Sequence, residues 1–87
     1  MSDPRITVYT TEFCGYCRAA KALLQRSGVP FIEEDLSDDP EKLMALKERT
    51  GHSTVPMILL DDALIGGYME LQSRISSDGA ESLMPTE

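Results

Sequence analysis

Thr10-Thr11-Glu12-Phe13-Cys14-Gly15-Tyr16-Cys17-Arg18 is the stretch whose reading decides the fold. On its N-terminal side, Arg5 to Thr10 sets Ile6 and Val8 on one face and Thr7 and Tyr9 on the other. This alternation, with its β-branched and aromatic content, predicts a buried strand. On its C-terminal side, from about Gly15 to Ser27, Ala20, Leu23 and Leu24 recur at helical spacing. Arg18, Lys21 and Gln25 fall opposite, and Gly28 ends the segment. The turn Thr11-Glu12-Phe13 joins the two. A strand therefore feeds an amphipathic helix, and two cysteines lie at the junction.

Working outward, Phe31 and Ile32 begin a second strand that runs into Glu33-Glu34-Asp35. Asp39-Pro40 then supplies an N-cap followed by proline at the first helical position, which predicts a helix from about Pro40 to Arg49. Leu43, Met44 and Leu46 are expected inward, with Gly51 just past the end. Val55 to Leu60 and Ala63-Leu64-Ile65 read as two strands of a hairpin around the acidic turn Asp61-Asp62. A helix from about Tyr68 to Ser76 follows Gly66-Gly67, and residues 79–87 read as a frayed acidic tail. The order strand, helix, strand, helix, strand, strand, helix predicts an α/β fold. Its sheet has four strands and is mixed, because a right-handed crossover unit is extended by an antiparallel hairpin.

A chain of 87 residues holds one domain, residues 1–87, and one compact core. No apolar run approaches membrane-spanning length, and the start Met1-Ser2-Asp3-Pro4-Arg5 lacks the basic end and apolar stretch of a secretion signal. A cytoplasmic, reducing location is the expectation. Formal net charge is −7, which argues against nucleic acid or an anionic membrane as partner, since either needs a basic face. The charge is uneven. Residues 1–32 carry four basic side chains against two acidic, net +2, whereas residues 33–87 carry four against thirteen, net −9. The cysteines sit in the cationic part.

Cys14 and Cys17 are the only cysteines, three positions apart. A bond between them closes so short a loop that it adds roughly 2 kcal/mol of chain-entropy stabilisation at most. It is a poor staple, and suits a group that cycles between states. At a helix N-terminus, free N–H groups and the dipole favour an anion, so Cys14 is expected to be the nucleophilic thiolate. Cys17, one turn on, is placed to resolve a mixed disulfide formed there. Structural zinc takes four ligands, and beyond the cysteines the chain offers only His52 and carboxylates, so no metal site is expected. His52, beside Gly51, reads as a surface residue.

A C-x-x-C after a strand has company here: Tyr16 lies within it, and Thr54-Val55-Pro56 and Gly66-Gly67 follow downstream. In order and approximate spacing this resembles the dithiol glutaredoxins, from Arg5 to Ile75. The resemblance implies a thioredoxin-like fold of the glutaredoxin type, with three helices, and glutathione-dependent reduction of protein disulfides and glutathione mixed disulfides. It implies that Pro56 is cis and beside the cysteines, and that the backbone of Val55 is free to pair with the cysteine of glutathione. Tyr16, Thr54, Val55, Pro56, Gly67, Tyr68 and Met69 are the glutathione-binding positions that follow from it.

Three positions depart from the family. Thr11 stands where many glutaredoxins have lysine, Met57 where glutamine is common, and Met69 where aspartate is frequent; each of those family residues commonly helps to hold glutathione. Two alternatives follow. One is a glutaredoxin-like protein reduced by thioredoxin reductase. The other is a [2Fe–2S] cluster carried between two copies with Cys14 as ligand, suggested by Gly15 in place of the usual proline. The partners expected are glutathione and disulfide-containing proteins, and the protein is expected to be a monomer unless a cluster bridges two chains.

Overall fold

The computed structural model describes residues 3–12 and 14–85. Phe13, in the first turn, and the last two residues of the expected tail lie outside the described residues. The elements are β1 (Ile6–Thr10), α1 (Gly15–Arg26), β2 (Phe31–Asp35), α2 (Pro40–Thr50), β3 (Met57–Leu60), β4 (Ala63–Gly66) and α3 (Tyr68–Asp78), followed by a short 3-10 helix, Ala80–Leu83. The sheet order is β2-β1-β3-β4. β1 pairs parallel with β2, placing Ile6 opposite Phe31, and antiparallel with β3, placing Val8 opposite Ile58. This is the four-stranded mixed sheet with three helices that the element order predicts.

Alternation along the central strands divides the core. Ile6, Val8 and Ile58 pack with Ala20 and Leu24 of α1 and Leu71 of α3, all of them fully buried. Met57 and Leu59 face the other way, against Leu36 and Leu46 of α2. β3 is thus apolar on both faces because helices cover both.

Local signals explain the ends of the elements. Asp39 accepts the Lys42 N–H at 3.1 Å, capping α2, and Gly51 closes that helix at φ 73°, a left-handed conformation that glycine adopts without penalty. β3 begins at Met57 rather than at Val55. It is a central strand, and Pro56 has no N–H to give to a ladder. The β3–β4 connection is the two-residue loop Asp61-Asp62, both with positive φ.

Two expectations need correction. Met44 is 58% exposed: the inward stripe of α2 runs through Leu43 and Leu46, and Met44 lies off it. In place of a frayed tail from Gly79, the chain turns back. Leu83 is fully buried against the α1 and α3 side of the core, and the Arg5 guanidinium donates to the Met84 carbonyl at 3.2 Å.

Candidate active site

The reactive pair is built by the β1–α1 junction. Cys14 is the N-cap of α1, in an extended conformation, and its Sγ accepts the Cys17 N–H at 3.1 Å. The Cys14 carbonyl accepts the Arg18 N–H at 3.3 Å, the first turn of the helix. No acidic residue occupies that turn, so nothing there offsets the positive end of the dipole. Cys14 is half-buried and Cys17 is 2% exposed. The two form a disulfide, with Cα atoms 5.2 Å apart.

A second segment, forty-one positions along the chain, completes the surroundings of Cys14. The Val55 carbonyl oxygen lies 3.7 Å from Cys14 Sγ, and the Val55–Pro56 peptide is cis. Among the described residues, neither the N–H nor the carbonyl of Val55 has a backbone hydrogen-bond partner. A backbone donor and acceptor left without backbone partners beside a reactive sulfur form a docking point for another peptide.

The third segment is the entry to α3. Gly67 is its N-cap, and helix geometry leaves the N–H groups of Tyr68 and Met69 without intrahelical acceptors. The Gly67 N–H donates to Glu70 Oε1 at 2.8 Å. Glu70 folds back so closely that a Cβ at Gly66, where φ is 131°, would lie 2.7 Å from its carboxylate oxygen. Position 66 therefore takes only glycine.

Tyr16, Thr54, Val55, Pro56, Gly67, Tyr68 and Met69, the seven positions expected from the sequence, all line one cleft of about 180 Å³. The Tyr16 and Tyr68 rings flank it with centroids 6.1 Å apart. His52 and Glu70 line it as well, and neither stands out in the sequence. His52 is half-buried, its Nε2 lies 3.3 Å from Thr54 Oγ1, and it borders Gly67. Through Tyr16, Thr54 and Val55 the cleft continues into a second lobe that reaches Cys14, Thr11, Leu43 and Lys47.

On the other side of the cysteines a polar hollow is walled by Cys14, Cys17, Arg18, Lys21, Glu33 and Asp35, among others. Lys21 is tied to Glu33 at 2.9 Å, and Glu33 also accepts from the buried Thr10 hydroxyl at 3.0 Å. Hydrogen bonds from the Ser37 hydroxyl and N–H hold the Asp35 carboxyl below its usual range. Of the three departures from the family, Thr11 and Met69 line the groove and Met57 does not. Met57 is fully buried beneath α2 and serves as core.

Comparison with known proteins agrees with this geometry. Residues 6–65 match the Glutaredoxin family. A glutaredoxin of Pseudomonas aeruginosa is 40% identical over 70 residues, covering 80% of this chain and 83% of that protein. Glutaredoxin 3 of Escherichia coli K12 is 37% identical over 79 residues, covering 91% and 95%. Among solved structures, the buckwheat glutaredoxin–glutathione complex superposes with a TM-score of 0.84 at 25% identity, covering 93% of this chain and 76% of that one. The chain belongs to the glutaredoxin family, and is a thiol–disulfide oxidoreductase of thioredoxin-like fold with a Cys14–Cys17 dithiol.

Proposed function

We propose that this protein uses glutathione to reduce protein disulfides and glutathione mixed disulfides, with Cys14 as the nucleophile and Cys17 as the resolving thiol. The observation that carries this reading is the backbone of Val55, which has no backbone hydrogen-bond partner among the described residues and whose carbonyl oxygen lies 3.7 Å from Cys14 Sγ at the junction of the two lobes. Family membership and a neighbour solved as a glutathione complex support glutathione as co-substrate.

In the reaction, the Cys14 thiolate attacks the glutathione sulfur of a glutathionylated substrate. The new bond is Cys14–S–S–G, and the displaced substrate thiolate takes up a proton. A second glutathione thiolate then attacks the glutathione sulfur, returning Cys14 as thiolate and leaving glutathione disulfide. With a protein disulfide, the Cys14 thiolate first breaks the substrate S–S bond to form a Cys14–substrate disulfide; Cys17 then attacks Cys14 Sγ, releasing the substrate as dithiol and leaving the Cys14–Cys17 disulfide, which two glutathione molecules reduce as they become glutathione disulfide. The more open Cys14 and the enclosed Cys17 suit this division of labour. Tyr16, Thr54, Val55, Pro56, Gly67, Tyr68 and Met69 hold the tripeptide, in part through backbone groups that Thr11 and Met69 leave intact.

A dithiol that works as a reductant needs a reducing compartment, so a cytoplasmic location and action as a monomer belong to the same proposal. The test is a mixed-disulfide assay with glutathione, glutathione reductase and NADPH. Turnover is expected. Absence of turnover, with NADPH oxidation when thioredoxin reductase is supplied instead, would replace glutathione as the donor. A second reading, a [2Fe–2S] cluster bridged by Cys14 of two copies and two glutathione thiolates, draws on Gly15: among the described residues, apart from its chain neighbours and the backbone of its own helix, nothing lies within 4 Å of where its Cβ would be.

A further inference from the structure

We propose that Glu33 is the proton acceptor for the resolving thiol: as Cys17 attacks the mixed disulfide at Cys14, its proton passes by way of the Thr10 hydroxyl to the Glu33 carboxylate. The inference rests on the reading of Cys17 as the resolving thiol, and is independent of which reductant restores the dithiol.

A thiol has to shed its proton to attack a disulfide. Cys14 does so at an open helix end, half-exposed to solvent. Cys17 lies within the first turn and is 2% exposed, so water has little access to its proton. A group of the protein must take it.

The register of the sheet puts one there. Ile6, Val8 and Thr10 share the buried face of β1, and Ala20 and Leu24 of α1 pack on the first two. Thr10 is last on that face and Cys17 first on the buried stripe of α1, and both wall the polar hollow beside the cysteines. Glu33 stands opposite Val8 in the β1–β2 pair, so its side chain belongs to the same face. It reaches Thr10, whose hydroxyl donates to Glu33 Oε2 at 3.0 Å.

Thr10 is the one buried polar side chain among the described residues. A hydroxyl has a single proton to donate and two lone pairs to accept with. Glu33 takes the proton, so a bond between Thr10 and reduced Cys17 runs from S–H to Oγ1. Lys21 grips the same Oε2 at 2.9 Å and holds the carboxylate in place. Arg18 from α1, Glu12 from the turn and Asp35 on β2 are the other charged groups around the hollow. Asp35 is engaged by the Ser37 hydroxyl and N–H rather than by Thr10.

In the step, Cys17 gives its proton to Thr10 Oγ1 while Thr10 gives its own to Glu33. The sulfur electron pair of Cys17 forms the bond to Cys14 Sγ, the Cys14–substrate bond breaks, and its pair leaves on the substrate sulfur, which takes a proton from water. The two cysteines are oxidised to the disulfide and the substrate is reduced to its dithiol. Glu33, with its side chain 35% exposed, then releases the proton to solvent.

The test times the mixed disulfide itself. Reduced protein is mixed with insulin and quenched with acid at intervals, and the Cys14–insulin disulfide is followed by mass. At about pH 7, Glu33→Gln and Thr10→Val are each expected to lengthen its lifetime about tenfold or more, whereas Thr10→Ser, which keeps the hydroxyl, should not. The gap should close toward about pH 9, where thiolate forms without help. Turnover of the glutathione–2-mercaptoethanol mixed disulfide, which bypasses Cys17, should be unchanged. Equal lifetimes in Glu33→Gln and the parent chain, a gap that persists at high pH, or an equal loss in the mixed-disulfide assay would overturn the assignment. A parent mixed disulfide that decays no faster than that of Cys17→Ser would instead remove Cys17 as the resolving thiol, and the assignment with it.

Discussion

The Cys17 N–H points at Cys14 Sγ from 3.1 Å, so the first turn of α1 is capped by the sulfur that does the chemistry. A thiolate accepts that bond more strongly than a neutral sulfur, and no acidic neighbour in the turn opposes it. Cys14 is therefore expected to alkylate with iodoacetamide at lower pH than Cys17 in the reduced protein. Cys14→Ser should abolish activity. Cys17→Ser should lose reduction of protein disulfides and keep deglutathionylation. A Cys17 that alkylates at the lower pH would reverse the two roles.

Leu83 fills the core between α1 and α3 from a segment that by composition reads as tail. Leu83→Ala is expected to cost about 2–4 kcal/mol in chemical denaturation, as for other fully buried leucines. A cost below about 0.5 kcal/mol would mean that the segment is not held there in solution.

The hairpin loop places two aspartates at positive φ, 50° at Asp61 and 69° at Asp62. Asp61 is retained by its 2.7 Å ion pair with Arg5, whereas Asp62 makes no ion pair among the described residues. Asp62→Gly should stabilise the protein by about 0.5–1 kcal/mol, because glycine adopts that backbone freely and Asp-Gly is a favoured two-residue hairpin loop. The denaturation midpoint should rise with an unchanged slope, and a lower midpoint would contradict the account.

Anaerobic reconstitution with iron, sulfide and glutathione tests the second reading. On that reading the parent chain gives a coloured dimer and Cys14→Ser a colourless monomer. A colourless parent chain would remove the reading, as would a cluster that forms without Cys14.

Much of the fold and of the cleft is legible in the amino-acid sequence. The strand-to-helix junction at Cys14, Thr54-Val55-Pro56 and Gly66-Gly67 are contiguous signals, and the seven positions that follow from them line one cleft. Met44 reads as inward because it adjoins Leu43, yet one residue of helix is a 100° rotation, enough to move a side chain from core to solvent. Leu83 escapes notice because its acidic surroundings dominate the composition, while a single apolar residue gives no period. Lys47, His52 and Glu70 carry no local mark at all. They matter through the meeting of α2, the loop before Pro56 and the start of α3, which only tertiary packing brings together.

That one sulfur is both cap and nucleophile ties redox state to folding through a thermodynamic cycle. A helix cap is worth about 1 kcal/mol, and here its strength depends on whether the sulfur is an anion or half of a disulfide. The difference in unfolding free energy between reduced and oxidised protein must equal the difference in reduction free energy between native and unfolded chain. Any substitution that strengthens the cap for the thiolate will therefore make the native disulfide easier to reduce. Melting the reduced and oxidised forms side by side reads how far the fold shifts the poise of the dithiol from that of the unfolded chain.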